Sequence, residues 1–322
     1  MTKKTKPSIK LGFKSGISIV TAVFLFAIIL KNSTLASLEV KSALKICSNL
    51  LIPSLFPLMV ASEIMTNSGA IEKITHKLST PIAKILGVSK SAAAPYFLGL
   101  LGGYSSACQS AMILYQNGKI SKRDLESIIS LSNIPSLAFM TGFVGVGILK
   151  SSTVGWIIWG IAVLSTLLLG IINNIFSKND VQIYIPNKEN KKDKREFSRI
   201  LVNSIIHSAH SMLTICACVI FFSVLIAVLK LYATKVPIPE QAKGVILGSL
   251  EITNGIGACS IIESTPLRAL ACAFLVGWSG FCVHFQVIAL CEDSEISFKK
   301  YFIFKALQGL ICLLLALVAF GI

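Results

Sequence analysis

Ala93 to Tyr115 reads AAPYFLGLLGGYSSACQSAMILY, and the fold turns on how that stretch is read. It is apolar enough for lipid, yet Gly102-Gly103 breaks it midway and Ser105, Ser106, Gln109 and Ser110 follow at once. Inside a bilayer, irregular backbone is tolerated only where it is buried in protein or lines a watery cavity. The pattern predicts two half-helices meeting at a glycine hinge, the second presenting its N–H end beside Ser105 and Ser106. Transporters build midplane binding sites in this way. A glycine-kinked helix packed on small-residue neighbours is the plain alternative.

The motif recurs. Gly103-Tyr104-Ser105-Ser106-Ala107-Cys108-Gln109 is echoed by Gly280-Phe281-Cys282-Val283-His284-Phe285-Gln286, with glycine, aromatic and glutamine at identical spacing. Both copies lie in apolar runs that carry an earlier glycine, Gly99 in one and Gly277 in the other. Broken segments at corresponding places in two halves point to a repeat-built membrane protein. The expected fold is an all-α polytopic membrane protein, an inverted repeat of transmembrane helices with two glycine-broken re-entrant hairpins, 93–115 and 267–290. Gly102, Gly103, Gly277 and Gly280 are the expected hinges.

Composition excludes an ordinary soluble domain: 54% of residues are hydrophobic and 14% charged, with a mean hydropathy of +0.76. The net charge of +15 lies in short loops between apolar segments, with no basic face interleaved with aromatics. It reads as a topology signal and as contact with anionic lipid, so no nucleic-acid partner is expected. The nine cysteines are scattered through apolar stretches, with no C-x-x-C pair and no zinc spacing. They act as small hydrophobes, and neither a disulfide, a metal nor a cofactor is indicated.

Residues 1–40 hold a basic segment (Lys3, Lys4, Lys6, Lys10, Lys14) and a first apolar run, Ile17 to Leu30. The arrangement resembles a signal peptide, but an uncleaved first helix suits a polytopic chain better, and the lysines favour a cytoplasmic N-terminus. Residues 41–177 form the first repeat. It opens with a span, Ile46 to Met65, kinked by Pro53 and Pro57. Short amphipathic helices at the membrane surface follow over 68–91, with Thr80-Pro81 as a helix start and Gly87 as a stop. After the broken stretch, Ile120 to Ser132 is an amphipathic helix that Ser121 and Asp124 cap. Asn133-Ile134-Pro135 interrupts the chain before short Leu137–Leu149 and the span Val154–Ile175. Residues 178–199 are a lysine-rich cytoplasmic linker. The second repeat, 200–322, runs from the span Ile205–Leu231 through the glycine-containing Gln241–Ser260 and the second broken segment to Phe302–Phe320. Counted from a cytoplasmic N-terminus, the two hairpins would enter from opposite faces.

These residues resemble the nucleoside-recognition Gate domain family, and within it the YlbJ-type sporulation integral membrane proteins. The carrying stretches are Ser54–Glu63 (SLFPLMVASE), Gly99–Ala111 (GLLGGYSSACQSA), Ser132–Ser136 (SNIPS), Ser249–Gly255 (SLEITNG) and Leu275–Leu290 (LVGWSGFCVHFQVIAL). Where the family has Gly-Tyr-Pro-x-Gly-Ala, this chain has Gly-Tyr-Ser-Ser-Ala-Cys. The resemblance implies a multi-pass inner-membrane protein linked to spore formation, with transport activity and no established substrate.

Ser105, Ser106 and Gln109, with Gln286, Glu251, Asn254 and Asn133, are the candidate substrate-binding residues. Hydroxyls and amides near a half-helix N-terminus suit a small polar or anionic solute. Their ordinary role is to bond across helices as glue. Glu251, Glu63 and His284 are candidates for proton or ion coupling, since ionisable groups in a membrane span are costly and tend to be functional. His284 lies two residues from Gln286, so the two face opposite sides of a regular helix. The expected function is a transporter or permease working between the two hairpins. The competing reading is a non-transporting membrane scaffold for spore assembly, and either leaves a homo-oligomer open. No enzyme is expected: the chain lacks H-E-x-x-H, G-x-S-x-G and a nucleotide loop.

Overall fold

The computed structural model describes residues 13–177, 196–233, 237, 239–294 and 296–321. Most of the linker and the first four lysines of the N-terminal segment lie outside them. The described residues are helical and contain no strand. Five runs are long and apolar enough to cross a membrane: 33–67, 152–175, 197–233, 265–290 and 298–320.

The first helix, α1 (Phe13–Lys31), leads into α2 (Ser33–Ile46), which continues through a π-turn at Cys47–Leu51 into α3 (Ile52–Asn67). Pro53 cannot donate to the carbonyl four residues back, and the widened turn just before it absorbs the mismatch. Two short helices follow, α4 (Ala70–Ile74) and α5 (His76–Leu86). The sequence expectation of a start at Thr80-Pro81 is corrected here, because α5 begins at His76 and holds Pro81 inside it. Its buried face, Ser79, Ala83 and Leu86, is spaced as one helical stripe that begins before the proline. Gly87, in the left-handed region, ends it. The next helix, α6 (Lys90–Gly102), leaves at 98° to α5.

At Gly103 the chain turns back into α7 (Tyr104–Gln116). A methyl group on Gly99 would meet Ala107 Cβ at 2.9 Å, whereas eight residues of unbroken helix span about 12 Å. The capped helix α8 (Lys122–Leu131) follows, with the Ser121–Asp124 capping box formed as its sequence predicts. Asp124 also accepts from Ser89 N at 3.0 Å and so braces the start of α6. Asp124→Ala removes both carboxylate contacts from a buried position. A loss of about 2 kcal/mol is expected, against less than about 0.5 kcal/mol for exposed Lys122→Ala, read by thermal unfolding in detergent.

A non-helical stretch, 133–136, separates α8 from a π-helix (Phe139–Ile148), and α9 (Ser152–Ser177) closes the first half. The second half opens with α10 (Phe197–Ala233), 37 residues long. The pair α11 (Glu240–Gly248) and α12 (Ile252–Ala258) then folds back on itself. Gly244 lies against the Ala258 methyl, and Gly248 meets Gly255 backbone to backbone. Next come α13 (Thr265–Trp278), α14 (Phe281–Leu290) and α15 (Phe298–Phe320).

The second expected hairpin is therefore corrected. Residues 265–290 form one apolar run long enough to cross, broken at Ser279-Gly280. Its arms go to different partners, α13 to α15 and α14 to α10 and α7. The second true fold-back is 240–258. Gly277 is not a hinge either: it lies against the backbone of Gln308 and Gly309, where any side chain would push α13 off α15. Nor do the halves match element for element. In the first the glycine break precedes its partner break, and in the second it follows it.

Among the described residues two large apolar cores result, beside a small cluster of Ile71, Ala94 and Leu98. One gathers α5 to α9 with α12 to α15. The other joins the π-turn and α3 to α10 through Leu51, Leu55, Met59, Ile215 and Val219.

Candidate functional site

Each glycine break lies against a helix break elsewhere in the chain. Gly103 has φ +84° and ψ −176°, and a Cβ there would come within 2.9 Å of Ser136 N. Gly280 has φ +82° and ψ 151°, and a Cβ there would come within 3.1 Å of Ile252 N. Only glycine adopts such backbone without strain, and only glycine lets the second chain approach so closely.

All four irregular segments meet at one cavity of about 50 Å³, space for a few water molecules. Gly102, Gly103, Tyr104 and Ser105 form one wall, Pro135 and Ser136 a second, Glu251 to Thr253 a third, and Ser279 with Gln286 a fourth. Leu51, Leu55, Ile215 and Val219 close it from the α3/α10 core, so it sits where the two cores meet.

Its chemistry is asymmetric. The N-terminus of α14 is occupied: Phe281 N donates to Ser249 O at 3.0 Å and Cys282 N to Leu250 O at 2.7 Å. That of α7 has no side-chain cap, and the hydroxyls of Ser105 and Ser106 beside it are buried without a hydrogen-bond partner. A helix N-terminus with free donors favours an anionic or electron-rich group. Tyr104 OH donates to Gln286 Oε1 across the cavity. Glu251 is buried, and its carboxylate accepts from Thr253 N at 2.9 Å and Asn254 N at 2.7 Å, capping α12.

Of the residues singled out in the sequence, Gly102, Gly103, Ser105, Glu251 and Gln286 line the cavity. Ser106 lies one residue behind the wall. Gln109 does not reach it, and its Nε2 donates to Ser211 Oγ on α10. Asn254 Nδ2 donates to Ser223 Oγ at 3.1 Å. Asn133 turns away and donates to Tyr301 OH. His284 also turns away, Nδ1 2.7 Å from the same hydroxyl and its ring among Trp278, Phe281 and Phe302, opposite Gln286 as their spacing requires. Glu63 is buried elsewhere, between α3 and α10.

Sequence reasoning passed over Tyr104, Ser136, Ser279 and Lys305. The last is fully buried on α15, donating to Asn133 O at 2.7 Å and Gln308 Oε1 at 2.6 Å. It fastens the non-helical stretch behind the cavity wall. A lysine inside the closing apolar span was the available signal.

Over 321 aligned residues the chain is 25% identical to the sporulation integral membrane protein YlbJ of Bacillus subtilis (strain 168), covering 89% of this chain and 78% of that protein. No protein-family model matches the chain, and no solved structure matches it. Likeness to the Gate family thus rests on the quoted motifs. The similarity to a membrane protein of sporulation, taken with five apolar runs of crossing length, makes this chain an integral membrane protein.

Proposed function

We propose that the protein is a transporter or permease for a small polar or anionic solute, acting at the cavity where its broken segments meet, with a role in spore formation. The observation that carries this reading is the uncapped N-terminus of α7, which faces the cavity beside two buried, unpartnered serine hydroxyls. Left without a ligand or water, those groups would each cost about 1–3 kcal/mol. A scaffold would gain nothing from keeping them. The cavity is too small for a solute as it stands, so loading requires the α3/α10 core to part from the broken helices, the rocking expected of alternating access. Re-entry of 93–115 from the cytoplasmic face, an N-terminus on that face and a place in the inner membrane belong to this same proposal. The solute is carried, not chemically altered.

The test is a thermal-shift screen of the purified full chain against small polar and anionic metabolites, followed by uptake of any hit into proteoliposomes. Ser105→Ala and Gln286→Leu are expected to weaken a hit about tenfold each, the worth of one good hydrogen bond. Leu213→Ala, on the exposed face of α10, is expected to leave it unchanged. Hits that bind all three variants alike would remove the cavity as the solute site.

A further inference from the structure

Beside the cavity, α3, α7 and α10 turn polar faces toward one another. Glu63 on α3 is 2% exposed, yet its Oε1 lies 3.0 Å from Nδ1 of His207, whose side chain is 66% exposed. Ser208 Oγ donates to its other oxygen at 3.2 Å. One turn along α10, Ser211 Oγ accepts from Gln109 Nε2 on α7. One turn back along α7 lie Ser106 and then Ser105 in the cavity wall. Thr66 Oγ1 closes the side by donating to Ser110 Oγ at 2.9 Å. One turn of α10 and one of α7, about 5.4 Å each, together with the Ser211–Gln109 crossing between them, separate His207 from the cavity.

Three buried oxygens along this row, Ser105 Oγ, Ser106 Oγ and Gln109 Oε1, have no protein partner. Groups spaced like these, with two to four polar neighbours for each solvent molecule, are what bridging waters need. We infer that the row is a proton entry: His207, near the start of α10 after Arg199 and Asn203 and ahead of the apolar run from Met212, collects protons at the membrane–water boundary, Glu63 receives them, and the hydroxyls of α7 and α10 lead on to the cavity. The inference rests on the transporter reading and adds its coupling ion. In the first step Nε2 takes a proton from water while the Nδ1 proton passes to Oε1 of the Glu63 carboxylate, and a turn of the neutral ring restores the starting tautomer.

Few other charges face Glu63. From α10 there is His207, with His210 one turn on and Arg199 two turns earlier. On α4 are Lys73 and Glu72, and Glu72 is paired with Lys119 at 2.8 Å. From Ser91 to Gln116, α6 and α7 carry no acidic or basic side chain.

Dicyclohexylcarbodiimide, which modifies protonated carboxyl groups from within lipid, reads this directly on the full chain in proteoliposomes, with labelled peptides identified by mass spectrometry. Glu63 is expected to be labelled, with about a tenfold fall when pH on the His207 side rises from about 5 to about 8. Changing pH on the other side alone is expected to leave the labelling unchanged. In His207→Ala the response to that pH step is expected to be about tenfold slower. Labelling that is absent, or equal at both pH values, overturns the inference. So does suppression by sodium chloride relative to choline chloride at fixed pH, which would make the row a cation site. Neither readout needs a solute, so failure here leaves the cavity reading standing, and failure of the metabolite screen leaves this one testable.

Discussion

Gly103→Ala is expected to lower the stability of the folded protein by about 4 kcal/mol, a large share of the 5–15 kcal/mol that holds a typical domain together. Two costs combine. The backbone at φ +84° and ψ −176° lies in a region essentially closed to residues with a Cβ, worth about 1–3 kcal/mol. The new methyl would also sit 2.9 Å from Ser136 N and 3.2 Å from Ser136 Cβ, and overpacking of that kind costs about 1–3 kcal/mol more. Relief requires the 133–136 stretch to withdraw, yet Lys305 and Tyr301 hold that stretch through Asn133. The control is Gly160→Ala on α9, where a Cβ meets nothing within 4 Å; it is expected to be neutral or to stabilise by up to about 1 kcal/mol. Thermal unfolding of the two variants in the same detergent decides the matter. Equal melting temperatures would mean that Gly103 does not turn the chain back as described.

Gly248→Ala and Gly255→Ala form the second large pair. A Cβ on Gly248 would lie 2.1 Å from Gly255 Cα, and one on Gly255 would lie 2.5 Å from Gly248 Cα. Neither contact can be relieved by turning a side chain, so α11 and α12 must separate. Each variant is expected to cost about 3 kcal/mol. The double variant is expected to cost clearly less than the sum, because the first methyl already opens the gap that the second would need. The turn between these helices carries Glu251 into the cavity wall, so both single variants are also expected to lose the solute hit that the wild type binds. Additive losses in the double variant would show that the two glycines do not share one contact.

The helices themselves were legible. The capping box at Ser121 and Asp124, the stop at Gly87, the interruption at 133–135 and the apolar runs all follow from short-range chemistry, which a linear sequence displays in full. Harder to read was which of two glycine-broken stretches folds back. Ala93–Tyr115 and Leu267–Leu290 share their glycine, aromatic and glutamine spacing, yet one doubles over at Gly103 while the other runs on through Ser279-Gly280. The difference lies in what each break meets. Carbonyls of Ser249 and Leu250 take up the first donors of α14, whereas no side chain caps α7. The small residues Gly244, Gly248, Gly255 and Ala258 signalled the real second fold-back, but only as a packing pattern.

By itself, the sequence determined that this chain is a bundle of membrane helices, most of the places where the helices break, and which few polar side chains a bilayer would be asked to hold. Tertiary structure alone decided that four of the breaks enclose one cavity, that Gln286 faces it while Gln109 does not, and that Glu63 meets His207 beside it. The reason is physical: helix caps and apolar spans arise from neighbours a few residues apart, whereas the surroundings of a buried polar group depend on segments as much as 182 residues distant, as Tyr104 and Gln286 are.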